Sequence, residues 1–100
     1  MPGRTRKQRR HTIEKFQERY GRQVNKAQIQ SMSNLITACD NPHFKGKAIF
    51  FDRKSKRFTR WFVWFENCWF PVVYDKHLKT IATVLPSGSL SPIPAPLALS

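Results

Sequence analysis

The chain has 100 residues, with 18 Lys or Arg against 6 Asp or Glu and a formal net charge of +12. This length predicts one domain, and the charge favours a polyanionic partner, with nucleic acid ahead of an anionic membrane surface. No apolar stretch approaches the roughly 20 residues that cross a bilayer, and the N-terminal sequence MPGRTRKQRR lacks the apolar core of a secretory signal. These features predict a cytoplasmic protein that does not enter the membrane.

The chain begins with a basic segment. Residues 1–11 contain five Lys or Arg and no acid, which predicts a flexible arm that contacts phosphates; the alternative is a solvated tail. Thr12 is a suitable N-cap for a first helix that starts at Ile13. Gly21 is well placed to end that helix in the left-handed conformation.

A second helix is marked at both ends. Asn25 and Gln28 form a capping box, and Asp40-Asn41-Pro42 ends the helix. Apolar residues recur between them at helical spacing and predict a core-facing stripe: Ile29, Met32, Leu35, Ile36 and Cys39. Cys39 and Cys68 are expected to be buried or half-buried thiols, and the alternative is a disulfide between them. No Cys or His spacing indicates a metal site or a cofactor.

Four strands are predicted after the helices, at residues 48–52, 57–66, 68–75 and 80–85. Their connectors are short enough for hairpins, so the expected topology is an antiparallel meander. The prediction is therefore an α+β domain over residues 12–85, with two N-terminal helices packed on a four-stranded sheet. Pro71 removes a ladder donor from the third strand, which predicts a bulge or an edge position there.

The second strand carries apolar side chains on both faces. Phe62 and Trp64 alternate with Trp61, Val63 and Phe65, so one face is expected to pack on the helices. The other face would meet a ligand, the tail or a partner chain, including a second copy in a homodimer. The Pro- and Ser-rich segment 86–100 predicts a flexible or extended tail, and the alternative is that its Leu and Ile residues cover this second face.

The inventory of reactive side chains favours metal-free chemistry. The carboxylates are too few and too scattered for two-metal hydrolysis, and no phosphate-binding glycine loop is present in the sequence. RNA cleavage by its own 2′-hydroxyl needs a base, an acid and cations around the phosphate. His11 is the best candidate base, and Lys15 and Arg19 follow it on one helical ridge. The alternative is a solvated basic face, and His43 and His77 are expected to be surface residues.

Two segments carry a family resemblance: RHTIEKFQERYGRQVNKAQIQSMSNLI, a helix begun by a histidine and then a second helix, and WFPVVYDKHLKTIATVLP, the last strand pair. They resemble the small ribonucleases of the barnase–EndoU–colicin–RelE superfamily, which has toxin- and phage-borne members. The resemblance implies helices on one side of a curved sheet, RNA on the other, and cleavage without a metal. It implies His11, Arg19 and Thr83 as catalytic residues, with Tyr74 and Lys79 at the substrate.

The leading hypothesis is an RNA-binding protein that acts as a metal-independent endoribonuclease, with an immunity protein as a further partner. Trp61 is expected to stack on bases, and basic residues of the first connector and second strand are expected to contact phosphates: Arg53, Lys54, Lys56, Arg57 and Arg60. One alternative is a nucleic-acid-binding module without catalysis. Another is a small phage-type inhibitor or adaptor that binds a host protein through its aromatic sheet face.

Overall fold

A computed structural model describes residues 2–38 and 47–90. Two helices, α1 and α2, precede four strands, β1 to β4, which form one antiparallel sheet in the order β1-β2-β3-β4. The elements are α1 Pro2–Tyr20, α2 Lys26–Thr37, β1 Ala48–Arg53, β2 Phe58–Phe65, β3 Cys68–Asp75 and β4 Thr80–Val84. The predicted α+β meander is confirmed. Neither helix has the length and apolar character needed to cross a bilayer.

The first helix starts earlier than the sequence predicted. It begins at Pro2, so the segment expected to be a flexible arm is helical from residue 2 onward. Arg, Lys and Gln favour helix, and proline suits the first helical position. Thr12 is not an N-cap but a buried side chain in mid-helix, and its hydroxyl lies 3.0 Å from the Gln8 carbonyl oxygen and 3.2 Å from that of Ile81. Contact with β4 therefore supports the N-terminal turns.

Gly21 ends α1 in the left-handed conformation, as predicted, with φ of +64°. Its N–H donates to the Gln17 carbonyl at 3.0 Å and closes the last turn. A Cβ at this position would meet no atom within 4 Å, so Gly21→Ala introduces backbone strain alone. We expect it to lower the free energy of unfolding by about 1–2 kcal/mol, measured by urea denaturation. A larger loss would mean that a steric clash contributes.

The second helix follows its sequence signals closely. Asn25 and Gln28 form the predicted capping box, and Ile29, Met32 and Ile36 are buried. The helix ends at Thr37, before the predicted stop at Asp40-Asn41-Pro42, which lies outside the described residues together with Cys39 and His43. Cys68 is half-buried and free, as expected.

The main core lies between the helices and one face of the sheet. Trp61, Val63 and Phe65 of β2 pack on this side, which confirms the predicted alternation. Buried members include Phe16, Ile29, Met32, Val63, Phe70, Val72 and Ile81. Phe62 and Val73 are also buried, although they belong to the opposite face of the sheet. Leu90 of the predicted tail is buried as well. Residues 86–89 of the predicted tail are exposed and Leu90 is packed, whereas residues 91–100 lie outside the described part of the chain.

Pro71 occupies neither an edge nor a bulge. It lies in β3, an interior strand, and pairs in regular register with Phe62 of β2. The Pro71 carbonyl accepts a hydrogen bond of 2.7 Å from the Leu85 N–H, just beyond the end of β4. Since the N and C=O of a strand residue point the same way, the missing donor also faces the end of β4. Proline is tolerated here because the ladder is already ending.

Candidate nucleic-acid interface

The meander gathers cations at one end of the sheet. In an up-and-down sheet the β1–β2 and β3–β4 connectors emerge at the same end, and the Lys76 N–H donates to the Arg57 carbonyl at 2.8 Å. Residues 53–57 and 76–79 hold six Lys or Arg and the exposed His77. We call these two segments the basic end. Their cations are close together in space although about 20 residues separate them in sequence.

The first half of α1 adjoins the basic end. The Gln8 side chain donates to Asp75 at 3.1 Å, beside the β3–β4 connector. Lys7 precedes Gln8 and is exposed, whereas Arg9 donates to Gln30 on α2, and Arg10 lines a cavity with Lys26 at the start of α2. The Gln8 contact therefore holds this part of α1, with the exposed Lys7, near the two connectors.

The buried carboxylate of Asp75 joins the two connectors and α1 through hydrogen bonds. It is fully buried and accepts hydrogen bonds from Arg57, from Gln8 and from the backbone N–H groups of His77 and Leu78, all between 2.8 and 3.1 Å. Burial raises the pKa of Asp75, but these hydrogen bonds outweigh it and lower the pKa from 3.8 to about 2. Asp75 therefore stays charged and holds both connectors in place.

A groove of about 480 Å³ runs over the basic end. It is lined by Lys56, Arg57, Lys76 and His77. Arg57 is committed to Asp75, whereas Lys56 and Lys76 are exposed and form no ion pair with any carboxylate in the described part of the chain. The groove therefore presents positive charge to solvent.

An aromatic cleft of about 470 Å³ opens beside the groove, where the C-terminal end of α2 meets β1, β2 and β3. Phe50 and Trp61 form its aromatic wall, with ring centroids 5.3 Å apart and planes at 79°. Phe50 is 50% exposed, an unusual position for a large apolar side chain. Lys76 and Lys79 complete the lining, so Lys76 belongs to both the groove and the aromatic cleft.

Hydroxyl groups make up the polar part of the aromatic cleft. The Trp61 indole N–H donates to the Thr59 hydroxyl at 2.8 Å, and the hydroxyls of Thr37 and Tyr74 share a hydrogen bond. These bonds fix the orientation of the Trp61 and Tyr74 rings, and each hydroxyl oxygen keeps further hydrogen-bonding capacity. The cleft thus combines flat apolar walls with fixed polar groups, the usual composition of a small-molecule site.

The structure gives several predicted substrate contacts an internal partner. Arg60 forms a bidentate pair with Asp52, and Arg57 binds Asp75. Lys15 forms a 3.0 Å ion pair with Glu18, and the pKa of Glu18 is lowered mainly by this hydrogen bond. The remaining predicted substrate residues are exposed or line the aromatic cleft: Arg53, Lys54, Lys56, Trp61, Tyr74 and Lys79.

Of the three predicted catalytic residues, the structure brings Arg19 and Thr83 to one backbone carbonyl, while His11 lies further along α1. Arg19 donates to the Val84 carbonyl at 2.5 Å, and the Thr83 hydroxyl lies 3.4 Å from the same oxygen. His11 is exposed eight residues earlier on α1, about 12 Å along the helix axis. Thr83 pairs with Val73 on the face opposite the main core, because a register shift between Val73 and Tyr74 changes the alternation. The Thr83 side chain therefore lies on the face away from the main core, and it meets Arg19 only at the Val84 carbonyl, on the edge strand β4.

Comparison with protein-family models, curated proteins and solved structures finds no match to this chain.

The sequence missed Phe50, Thr37 and Thr59 as cleft residues, because they meet Trp61 only through strand pairing and helix packing. Asp75 had a local signal, since aspartate before a short connector often accepts from N–H groups two and three residues later. The resemblance implied RNA on the face away from the helices, whereas Trp61 and Tyr74 of the aromatic cleft lie on the helix side.

Proposed function

We propose that this protein binds single-stranded RNA across its basic end. The observation that carries the proposal is the position of Lys76, which lines both the basic groove and the aromatic cleft. A positively charged track beside exposed aromatic rings is the arrangement by which proteins hold single strands, with phosphates on the cations and bases on the rings. The net charge of +12 supplies long-range attraction to the same ligand.

The charge distribution supports a phosphate contact at this end in particular. Lys54, Lys56 and Lys76 are exposed, and Asp75, the one acid within residues 53–57 and 75–79, is buried beneath Arg57. At the other end of the sheet, Glu66 of the β2–β3 turn pairs with Arg22 at 3.0 Å and reduces the local positive charge. A polyanion is therefore attracted more strongly to the basic end than to the β2–β3 turn.

The aromatic cleft favours a single strand over a duplex. Trp61 and Phe50 lie in a recess, and the bases of a duplex are stacked inside the helix, where recessed side chains do not reach their faces. Unpaired bases are available for stacking. We therefore propose an RNA loop, end or unstructured segment as the ligand.

The proposal predicts a salt-dependent affinity that depends on particular lysines. We expect Lys56→Gln/Lys76→Gln to weaken binding of a fluorescent single-stranded RNA of about 12 nucleotides, followed by anisotropy. The slope of log K against log salt is negative, and each lost phosphate contact reduces its magnitude by about 0.7 for a single strand. We therefore expect the slope of the double variant to be smaller in magnitude by about 1.4, measured between about 50 and 200 mM NaCl. Both lysines are exposed, so the fold is expected to persist.

A charge-matched control separates this site from general attraction. Lys26 and Lys47 are exposed at the beginning of α2 and β1, near the β2–β3 turn rather than the basic end. Lys26→Gln/Lys47→Gln should leave the slope unchanged, and an equal loss in both variants would contradict a localised site. Cleavage of the same RNA in EDTA, abolished by His11→Ala, would instead support the metal-independent endoribonuclease that the family resemblance implies.

A further inference from the structure

We propose that the aromatic cleft receives one unpaired base of the bound RNA, turned out of the strand, while the flanking phosphates lie on Lys76 and Lys79. This inference rests on the proposed RNA binding and adds the place and manner of base contact. It rests on four properties of the cleft: its size, its exposed aromatic wall, its fixed hydroxyls and its cationic rim.

The aromatic wall is both exposed and rigid. Trp61 packs against the main core, and its indole N–H is held by Thr59 at 2.8 Å. Phe50 stands edge-to-face against it and is half-exposed on the edge strand β1. A base that stacks on Phe50 or Trp61 therefore covers apolar surface without requiring either ring to be ordered first.

The aromatic cleft has room for a base with its sugar. Its volume of about 470 Å³ falls within the range of about 300–1,000 Å³ that holds small ligands. The hydroxyls of Thr37, Thr59 and Tyr74 line the same cavity. A hydroxyl both donates and accepts, so these groups can bond to the polar edge of an inserted base.

The rim is cationic on the side that faces the groove. Lys76 and Lys79 line the aromatic cleft, and Lys76 also lines the groove that leads from it. Lys79 has φ of +54°, a left-handed conformation that is strained for a residue with a side chain. Glycine would adopt this conformation without strain, yet the chain places a cation here. A strand whose phosphates follow the groove would therefore pass the mouth of the cleft.

Removing the bases from the ligand tests this inference apart from the proposed function. The probes are a single-stranded RNA of mixed sequence and an abasic ribose-phosphate strand of the same length. We expect Phe50→Ala to lower the affinity for the base-containing RNA about five-fold or more, and to leave the affinity for the abasic strand unchanged. Trp61→Phe should keep most of the affinity and lose the quenching of tryptophan emission by RNA.

Trp64→Ala is the matched control, because Trp64 lies on the opposite face of β2, paired with Trp69 at 5.3 Å. It should leave the affinity for both probes unchanged. If the protein bound both probes with equal affinity and Phe50→Ala changed neither affinity, the inference would be overturned, while the proposed RNA binding would stand. A greater loss in Trp64→Ala than in Phe50→Ala would also overturn it, by placing the bases on the other face. Failure of the wild-type protein to bind either probe would instead remove the proposed function.

Discussion

Asp75→Asn is expected to destabilise the protein by about 2–4 kcal/mol, because it removes a fully buried charge that several donors share. One carboxylate oxygen accepts from Arg57 and Gln8, and an amide nitrogen in its place presents hydrogens to those donors. The other oxygen still accepts from the N–H groups of His77 and Leu78. Urea denaturation at neutral pH measures the loss.

The pH dependence of stability provides a second test of Asp75. Its folded-state pKa of about 2 lies below the ordinary value of 3.8, so its contribution is fully present above pH 3.8. That contribution, roughly 2 kcal/mol, is lost as the pH falls from 3.8 through about 2. The free energy of unfolding should therefore decrease less steeply over this range in Asp75→Asn than in the wild-type protein. Parallel curves would show that Asp75 is not the titrating group.

Asp52→Asn is the matched control for the loss of an ion pair. Asp52 binds Arg60, and the two side chains are 37% and 33% exposed. Water screens such a pair, so the expected cost is only about 0–1 kcal/mol. If the two variants lost equal stability, burial would not be the source of the Asp75 effect. Asp75→Asn should also weaken RNA binding, because the carboxylate holds the connector that carries Lys76.

Phe16→Ala is expected to be the most destabilising single truncation, with a loss of about 3–5 kcal/mol. Phe16 is fully buried in the main core. Its ring lies 5.2 Å from Phe70 and 6.2 Å from Tyr20, so its removal leaves a cavity where α1 packs on the sheet. The loss is measured by urea denaturation, or by thermal denaturation if the variant is only partly folded at room temperature.

Phe50→Ala provides the same chemical change at an exposed position. Phe50 is half-exposed, so the expected loss of stability is about 1 kcal/mol or less. For RNA binding we expect the reverse order. Phe50→Ala should lower the affinity more than Phe16→Ala does, since Phe50 belongs to the aromatic cleft and Phe16 does not. A comparable loss of stability in both variants would contradict the assignment of Phe16 to the core.

The local signals in the sequence were sufficient for most of the fold. The capping box of Asn25 and Gln28 and the left-handed Gly21 depend on residues within a few positions of each other, and the structure confirms both. The start of α1 was predicted wrongly. Contacts of Gln8 and Thr12 with the sheet, from residues more than 60 positions away, support helix where the composition alone favoured a flexible arm.

The candidate site depended on longer-range relations. Charge in the connectors was evident from the sequence, and the meander topology explains why both connectors meet at one end. The pairing of Arg57 with Asp75 and of Arg60 with Asp52 was not evident, although it decides which cations are available to a ligand. The position of Thr83 on the face opposite the main core depends on a register shift that no local pattern indicated.

The sequence by itself determined the elements, their order, the alternation of β2 and the strongly basic surface, because these follow from periodicity, capping and composition over short stretches. Only the tertiary structure decided which groups meet: Asp75 under Arg57, Phe50 against Trp61, and Thr37 beside Tyr74. Such contacts join residues 11 to 37 positions apart, through strand register and helix docking. A register change of one residue would turn every side chain of a strand to the other face, so the site exists only once the whole sheet has formed.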